Sequence, residues 1–594
     1  MKDINTLLVI AITIRLVYCI QIINALRDPA LMTSRGISSS VSPEWGTLGV
    51  EQQQDEKHIL LEASNDEEGN KWWEGLDDHP DNNNNRKNYT CVDIAIIGAG
   101  HAGLATAIGL SRSTDLASSS SCKIRIYERD PKLRESSSGM LSIWPCGKTF
   151  LERIHPDLPN LVSKDGCSFE KAIISSVVNN DNDNDNNGIE TIIKKNDMSK
   201  MYPGSTLIRW HALRSILANV LNDVITKRSS SSSSFETNVD DVDDFEDMLV
   251  TDHSLLSYKE VVGTNDDDDD DDGGGVFLLF ENGNIVKAKI VIGADGTFSS
   301  VRRTMHPSDK PIYFGQMNWN AVINTDSLPK DARPYPNGVK HISYDGAGTS
   351  SSDDGGGDED ATSEPPRWSS YVNDCGDNHT FFQFRVSDME KARAISGGRG
   401  GLGLPGVKAA LLSIVQMNTT VSNVLKALPE ELIFERAIIG RLPTTTWLSP
   451  GGRVTLLGDS AHSMHPACGM GANQAIGSAA SLVDAITSAY RKHHYLDAKT
   501  KKNDDDDNSM VWLVRGLENY DHNRRPEMDI FLRYANMIGC GTASSSKANK
   551  LDPNIHSLWN KWIHTTNKNE PPPTDGQDII RMFDPLSLPE VSLM

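Results

Sequence analysis

A three-glycine motif, Gly98-Ala99-Gly100-His101-Ala102-Gly103, follows the apolar segment Val92–Ile97 and opens the small-residue helical pattern Ala102–Leu110. That context gives the spacing chemical meaning. A strand ending in glycine lets the backbone turn tightly. The helix that follows offers uncommitted N–H groups and the positive end of its dipole to a pyrophosphate. A carboxylate closing the next strand would bind a dinucleotide's ribose. Glu128, in Ile126-Tyr127-Glu128-Arg129, ends the strand pattern Lys123–Tyr127. It stands slightly farther from the turn than the usual ~20 residues, and the insert Ser118–Ser121 accounts for the excess. Alone, the turn does not tell one dinucleotide from another.

Two further strings repeat the theme of a strand delivering a carboxylate. Val291-Ile292-Gly293-Ala294-Asp295-Gly296 is followed by Ser299, Ser300, Val301, Arg302 and Arg303. Leu456-Leu457-Gly458-Asp459-Ser460-Ala461-His462 is followed by His465-Pro466 and by Gly469-Met470-Gly471-Ala472-Asn473-Gln474-Ala475. Asp459 could accept hydrogen bonds from a polyol. Gly469–Asn473 would bring backbone N–H groups at a helix start to an electron-rich ring edge, where such donors stabilise negative charge. His462, His465 and Cys468 are read as structural groups and none as catalytic. His101 is expected to point outward from the turn.

The elements that must hold these strings are legible as apolar runs. Helices are expected at Trp210–Leu221 and Ala472–Tyr490, and strands at Val276–Glu281, Ile285–Ile292 and Val454–Leu457. Alternating aromatic stretches between Tyr313 and Val386, such as Thr380–Val386, read as a mixed or antiparallel sheet. With 594 residues the chain exceeds one core. The formal charge of -23 resides in four acidic runs, Glu236–Asp247, Asp266–Asp272, Asp353–Glu364 and Asp504–Asp507, which contain no Lys or Arg. These read as solvated insertions, and the near-neutral remainder gives no basic field for nucleic acid. The eight cysteines include no C-x-x-C pair and no zinc spacing, so no metal site is expected.

Taken in this order, the three strings resemble the class A FAD-dependent monooxygenases, which include aromatic hydroxylases of the salicylate hydroxylase type and zeaxanthin epoxidase-like enzymes. The resemblance runs from about Val92 to Ile538. Weaker matches are Gly139-Met140-Leu141, Pro145-Cys146-Gly147, Arg209 with Leu213 and Leu217, Arg441-Leu442-Pro443 with Trp447, and Tyr520 with Arg524-Arg525-Pro526. Arg134 is a weaker candidate still. The chain departs from the family pattern at Met470, where Gln is frequent, at Gly477-Ser478, where an acidic pair is usual, and at Cys146, where Asn is frequent.

The resemblance implies an α/β fold. A Rossmann-like FAD-binding domain of the glutathione reductase type would be built from residues 91–165, 205–305 and 440–540. An inserted substrate domain with a mixed or antiparallel sheet would span 166–204 and 306–439. It implies non-covalent FAD held by Gly98, Ala99, Gly100, His101, Ala102, Gly103, Glu128, Arg129, Arg209, Asp295, Gly296, Gly458, Asp459, Pro466, Gly469, Met470, Gly471, Ala472 and Asn473. It implies NAD(P)H as electron donor, O2, and a flavin C4a-hydroperoxide that hydroxylates or epoxidises an apolar or aromatic small molecule. Trp319, Tyr371, Phe381, Phe382 and Phe384 are candidate walls for that molecule. A reductase without oxygen insertion and an inert flavin-binding interaction protein are the competing readings.

Residues 1–27 form a signal-like or anchor segment or an amphipathic helix. Arg15 within its apolar run costs a membrane-spanning helix roughly 2.5–3.5 kcal/mol. Secretory or organelle targeting, or membrane association, would act through this segment, and the protein would otherwise be cytoplasmic. Residues 28–90 read as a polar, acidic linker and 541–594 as a C-terminal extension.

Overall fold

The computed structural model describes residues 89–113, 122–133, 139–179, 187–232, 245–261, 274–344, 368–386, 395, 401–500 and 511–539. The N-terminal segment, nearly all of the linker, the C-terminal extension, Arg134 and most residues of the acidic runs lie outside them.

The first sheet is built around β1 (Thr90–Ile97), whose last six residues are all buried. A strand covered on both faces is apolar throughout rather than alternating. β1 pairs in parallel with β2 (Ile124–Tyr127) and with β11 (Ile285–Gly293), and β11 pairs in parallel with β18 (Val454–Leu456). β8 (Leu249–Val250) extends the β2 edge in parallel, and the antiparallel strands β10 (Gly275–Phe280) and β9 (Leu255–Val261) extend the other side. Helix α1 (His101–Arg112) packs between this sheet and α6 (Gly471–Thr500), so closely that a Cβ on Gly109 would stand 2.7 Å from Val483. Helix α7 (Val511–Gly539) lies along α6 and carries Pro526 within it.

A small antiparallel sheet follows β2: β3 (Met140–Ile143), β7 (Thr206–Arg209) and β4 (Cys167–Ser168). The helix α2 (Pro145–Ile154) leaves β3, and α3 (Trp210–Ser232) leaves β7.

Among the described residues the third sheet has eight strands. It joins β5 (Lys171–Asn179) and β6 (Gly188–Asp197) to β12 (Ile312–Asn324), β13 (Gly338–Tyr344), β14 (Trp368–Asp374), β15 (His379–Val386), β16 (Gly401–Leu402) and β17 (Phe434–Gly440). Every pairing is antiparallel except β13 with β5. One face buries Met317, Trp319, Phe382, Phe384 and Val386 against Val407 and Leu411 of α4 (Val407–Ile414) and Val421, Val424 and Leu425 of α5 (Thr420–Ala427).

Candidate flavin and substrate site

All three strings end parallel strands of the first sheet on the same side, and backbone bonds lace them together. Gly98 N–H donates to Tyr127 O at 2.8 Å, Ala294 N–H to Ile97 O at 2.8 Å, and Leu457 N–H to Gly293 O at 2.8 Å. The carboxyl ends of parallel strands are where open α/β sheets bind ligands.

The glycines divide by role. Gly98 has φ +103 and a Cβ there would lie 2.6 Å from Ala294 O; a Cβ on Gly103 would lie 2.1 Å from Gly98 O. These two let backbones touch. A Cβ on Gly100 or Gly471 would meet nothing within 4 Å, so both face open space. Gly100 caps α1 without a side-chain bond, leaving first-turn N–H groups uncommitted to any cap. Glu128 is buried, with Oε2 accepting from Ala99 N at 2.9 Å, so its carboxylate sits against the glycine turn. Arg129 is exposed.

Asp295 accepts N–H bonds from Ser300 at 2.7 Å and Val301 at 3.2 Å, while its Oδ1 is buried without a partner. Burial raises its pKa, against the bonds from Ser299, Val301 and Ser300. Asp459 is surrounded by protein yet keeps exposed surface, which places it on the wall of a hollow. Burial raises its pKa and the charge of Arg436 opposes that rise. A helix N-terminus facing open space, a carboxylate on its turn, an unpartnered Asp295 oxygen and a hollow edged by Asp459 fit the pyrophosphate, ribose and ribityl parts of FAD.

Other residues of the strings fix the frame. Arg302 is fully buried. It donates to Ser460 O at 2.9 Å and Ala461 O at 2.6 Å and shares Asp309 with Arg441, which in turn donates to Thr297 O at 2.8 Å. The Arg in the second string therefore pins the turn of the third. Asn473 spends its amide on protein: Oδ1 accepts from Trp144 N at 2.9 Å, and Nδ2 donates to Ser142 O at 2.8 Å and Gly469 O at 3.1 Å. Its side chain braces the Gly469 turn, leaving backbone groups to face a ligand. Pro466 opens a short 3-10 turn, and Met470 is buried in the core. At the departure from the family pattern, a Cβ on Gly477 would strike Phe150 at 2.7 Å, and Ser478 Oγ lies 2.9 Å from His462 Nε2 and accepts from Arg524 Nε at 3.2 Å.

Three sequence expectations change. His101 is buried rather than outward-facing, with Nε2–H donating to Trp210 O at 3.0 Å, because the start of α3 packs over the turn. Arg209 turns to the third sheet, pairing with Asp377 at 2.8 Å and lying 3.1 Å from His379 Nδ1. Of the proposed aromatic walls, Trp319, Phe382 and Phe384 belong to the core on the far face of that sheet.

The near face is polar. It looks toward the three strings, since Gln316 Oε1 accepts from His465 Nε2 at 3.2 Å and Arg436 couples to Asp459. One cross-strand row runs Ser369, Arg385, Asn318, Arg436, and the next runs Tyr371, Gln383, Asn320, Phe434. Phe381 lies on this face, opposite Asn373 and Val322. Arg436, Asn318 and Gln316 were missed in the sequence, although their alternation with Glu435, Met317 and Trp319 carries the period-2 signal of a two-faced strand.

His101, His462 and His465 are held neutral by burial, with pKa values lowered to about 4, 3 and 3. In the unfolded chain each returns to ~6.5. Between those values the unfolded state binds more protons, so stability should fall as pH drops from about 6.5 toward 3. Melting temperature measured across this window should decline in the parent and more shallowly in His462→Asn; equal slopes would contradict the assignment.

Comparison with known proteins agrees with this geometry. The FAD binding domain family model matches residues 444–504. The chain is 27% identical over 342 residues to the chloroplastic zeaxanthin epoxidase of an Oncidium hybrid, covering 57% of this chain and 43% of that protein. It is 36% identical over 84 residues to the FAD-dependent monooxygenase fmqB of Aspergillus fumigatus, covering 14% of this chain and 20% of that protein. In fold it is similar to Klebsiella pneumoniae HpxO, solved with FAD and uric acid, at TM-score 0.50 and 16% identity over 83% of this chain and 96% of that one. CtdE, solved with FAD and a substrate, gives TM-score 0.51 at 14% identity, over 76% of this chain and 90% of that one. The chain is thus similar in sequence to FAD-dependent monooxygenases and shares their fold. The family model that matches is an FAD binding domain, and the turn at Gly98–Gly103, Glu128, Asp295 and Asp459 are groups whose chemistry would suit FAD. The chain spans less than half the length of the zeaxanthin epoxidase it matches. Among the described residues no helix is long and apolar enough to cross a membrane.

Proposed function

We propose that the protein is a monooxygenase that takes electrons from NADH or NADPH and inserts one atom of O2 into a small apolar or aromatic molecule. The observation that carries this reading is the hollow between Asp459 and the near face of the third sheet, where a flavin edge and a substrate could meet. Bound FAD supplies the redox chemistry. The chain's part is to bind and orient it: the α1 N-terminus and the Asp295 turn toward the pyrophosphate, Glu128 toward the ribose, Asp459 toward the ribityl chain, and the Gly469–Asn473 backbone toward the ring. The near face of the third sheet, which reaches the third string through Gln316 and His465, would border the ring and shield it from water. His462 and His465, both neutral, brace the third string and transfer no proton.

The polar near face favours hydroxylation of an aromatic ring over epoxidation of a long hydrocarbon. Targeting to an organelle or the secretory route, or membrane association, would act through residues 1–27. The deciding experiment takes the full chain, loads it with FAD and follows NADH and NADPH oxidation under 18O2 with phenols and a carotenoid. Substrate-stimulated oxidation with one 18O atom in the product is expected. Flavin reduction with no label in any product would favour a reductase, and a chain that takes up no FAD would end both readings.

A further inference from the structure

Arg436 stands apart from the other guanidinium groups around the site. Arg302 and Arg441 share Asp309, Arg524 is bonded to Glu527, and Arg209 is bonded to Asp377. Arg436 is exposed, like Asp459, and among the described residues has no carboxylate within ion-pair distance and no hydrogen bond from its side chain. Asp459 acts on it only through space.

The register gives its surroundings. On β12, Asn318 is paired with Arg436 on one side and Arg385 on the other. Asn318 is fully buried; its Oδ1 accepts from Arg385 Nε at 2.9 Å and its Nδ2 has no partner. The same cross-strand row contains Ser369 and Ser343 and no acidic residue. Glu435, the nearest acid on β17, points to the far face, where it accepts from Trp319 Nε1 at 2.8 Å. Arg436 is exposed, so an entering anion can reach it, and a hydrogen bond between two charged groups is stronger than one between neutral groups. The planar guanidinium fork matches a carboxylate.

We infer that Arg436, flanked by Asn318 and Arg385, receives a carboxylate of the substrate and so turns the substrate's ring toward the flavin edge near Asp459. This inference rests on the monooxygenase reading for the word substrate, and on the geometry alone for the anion site. It makes Arg436 a specificity-determining residue and separates this protein's substrate from a neutral carotenoid.

The test uses the full chain loaded with FAD and the matched probes benzoate and benzamide, read by perturbation of the flavin visible spectrum. Benzoate should give a saturable change, with benzamide at least ~10-fold weaker. Arg436→Gln should weaken benzoate by at least ~10-fold and leave benzamide and FAD content unchanged, and Arg436→Lys should recover part of the loss. The inference is overturned if benzoate leaves the spectrum unchanged, if it binds Arg436→Gln as tightly as the parent, or if Arg436→Gln and Arg436→Lys both lose FAD, which would assign the residue to the cofactor. The two readings fail separately. Benzoate binding through Arg436 without oxygen insertion into any phenol would sink the monooxygenase and leave the anion site. Oxygen insertion indifferent to Arg436→Gln and to a carboxylate would do the reverse.

Discussion

Gly103→Ala should yield a protein that loses both cooperative folding and flavin, whereas Gly100→Ala should melt like the parent and fail only in flavin content. The two glycines stand three residues apart in one turn and differ in what surrounds them. At Gly103 the added methyl would lie 2.1 Å from the carbonyl oxygen of Gly98, a backbone atom fixed between β1 and the Ala294 turn. Relief requires moving α1 away from the strand, and overpacking of this kind costs about 1–3 kcal/mol or more. At Gly100 the methyl enters open space, and the extended backbone there, φ -78 and ψ -176, suits any residue. In the proposed reading that space would receive the FAD pyrophosphate. Flavin affinity should therefore fall at least ~10-fold, since the second glycine of such turns exists for backbone approach. Thermal melting of the apoprotein and FAD titration separate the effects. Normal FAD content in the Gly100→Ala protein would move the pyrophosphate elsewhere.

Asp309→Asn should produce the largest loss of stability from any single isosteric change near the site. One carboxylate oxygen serves two guanidinium groups, Arg302 with no exposure and Arg441 with almost none. The amide keeps the shape and removes the charge, leaving two buried cations facing each other. Breaking a buried pair from one side costs about 3–5 kcal/mol. The urea midpoint should fall accordingly, with flavin released early, because Arg302 carries the carbonyls of Ser460 and Ala461 beside Asp459. An unchanged midpoint would mean that water already screens the cluster.

The parts of this protein that a sequence displays are those governed by local rules. β1 is readable because a doubly covered strand is continuously apolar, and the turn at Gly98–Gly103 because three glycines at that spacing meet a steric need. Asp459 is readable from the strand that ends before it. What stays hidden depends on which neighbour arrives from far along the chain. Trp319 and Asn318 alternate on one strand, and nothing in their own segment says which faces the core. That is decided by α4 and α5, which lie well beyond β15 in the chain. The same holds for Asn473, whose residue type suggests ligand contact but whose amide is consumed by Ser142, Trp144 and Gly469. Asp309 carries no motif at all, and its importance comes from two arginines, Arg302 of the second string and Arg441 ahead of the third.

The parallel pairing of β13 with β5 joins Val339 to Ala172. During synthesis at ~5–20 residues per second, the earlier hairpin waits on the order of ten seconds for its partner strand to emerge. Throughout that interval β5 has no partner on the side that β13 will take, and Ile189, Ile192 and Ile193 of β6, on its other side, are exposed. The nascent chain therefore passes through a stage in which its third sheet is a sticky two-stranded fragment, and yield in cells should depend on chaperone supply more steeply than the finished protein's stability would suggest.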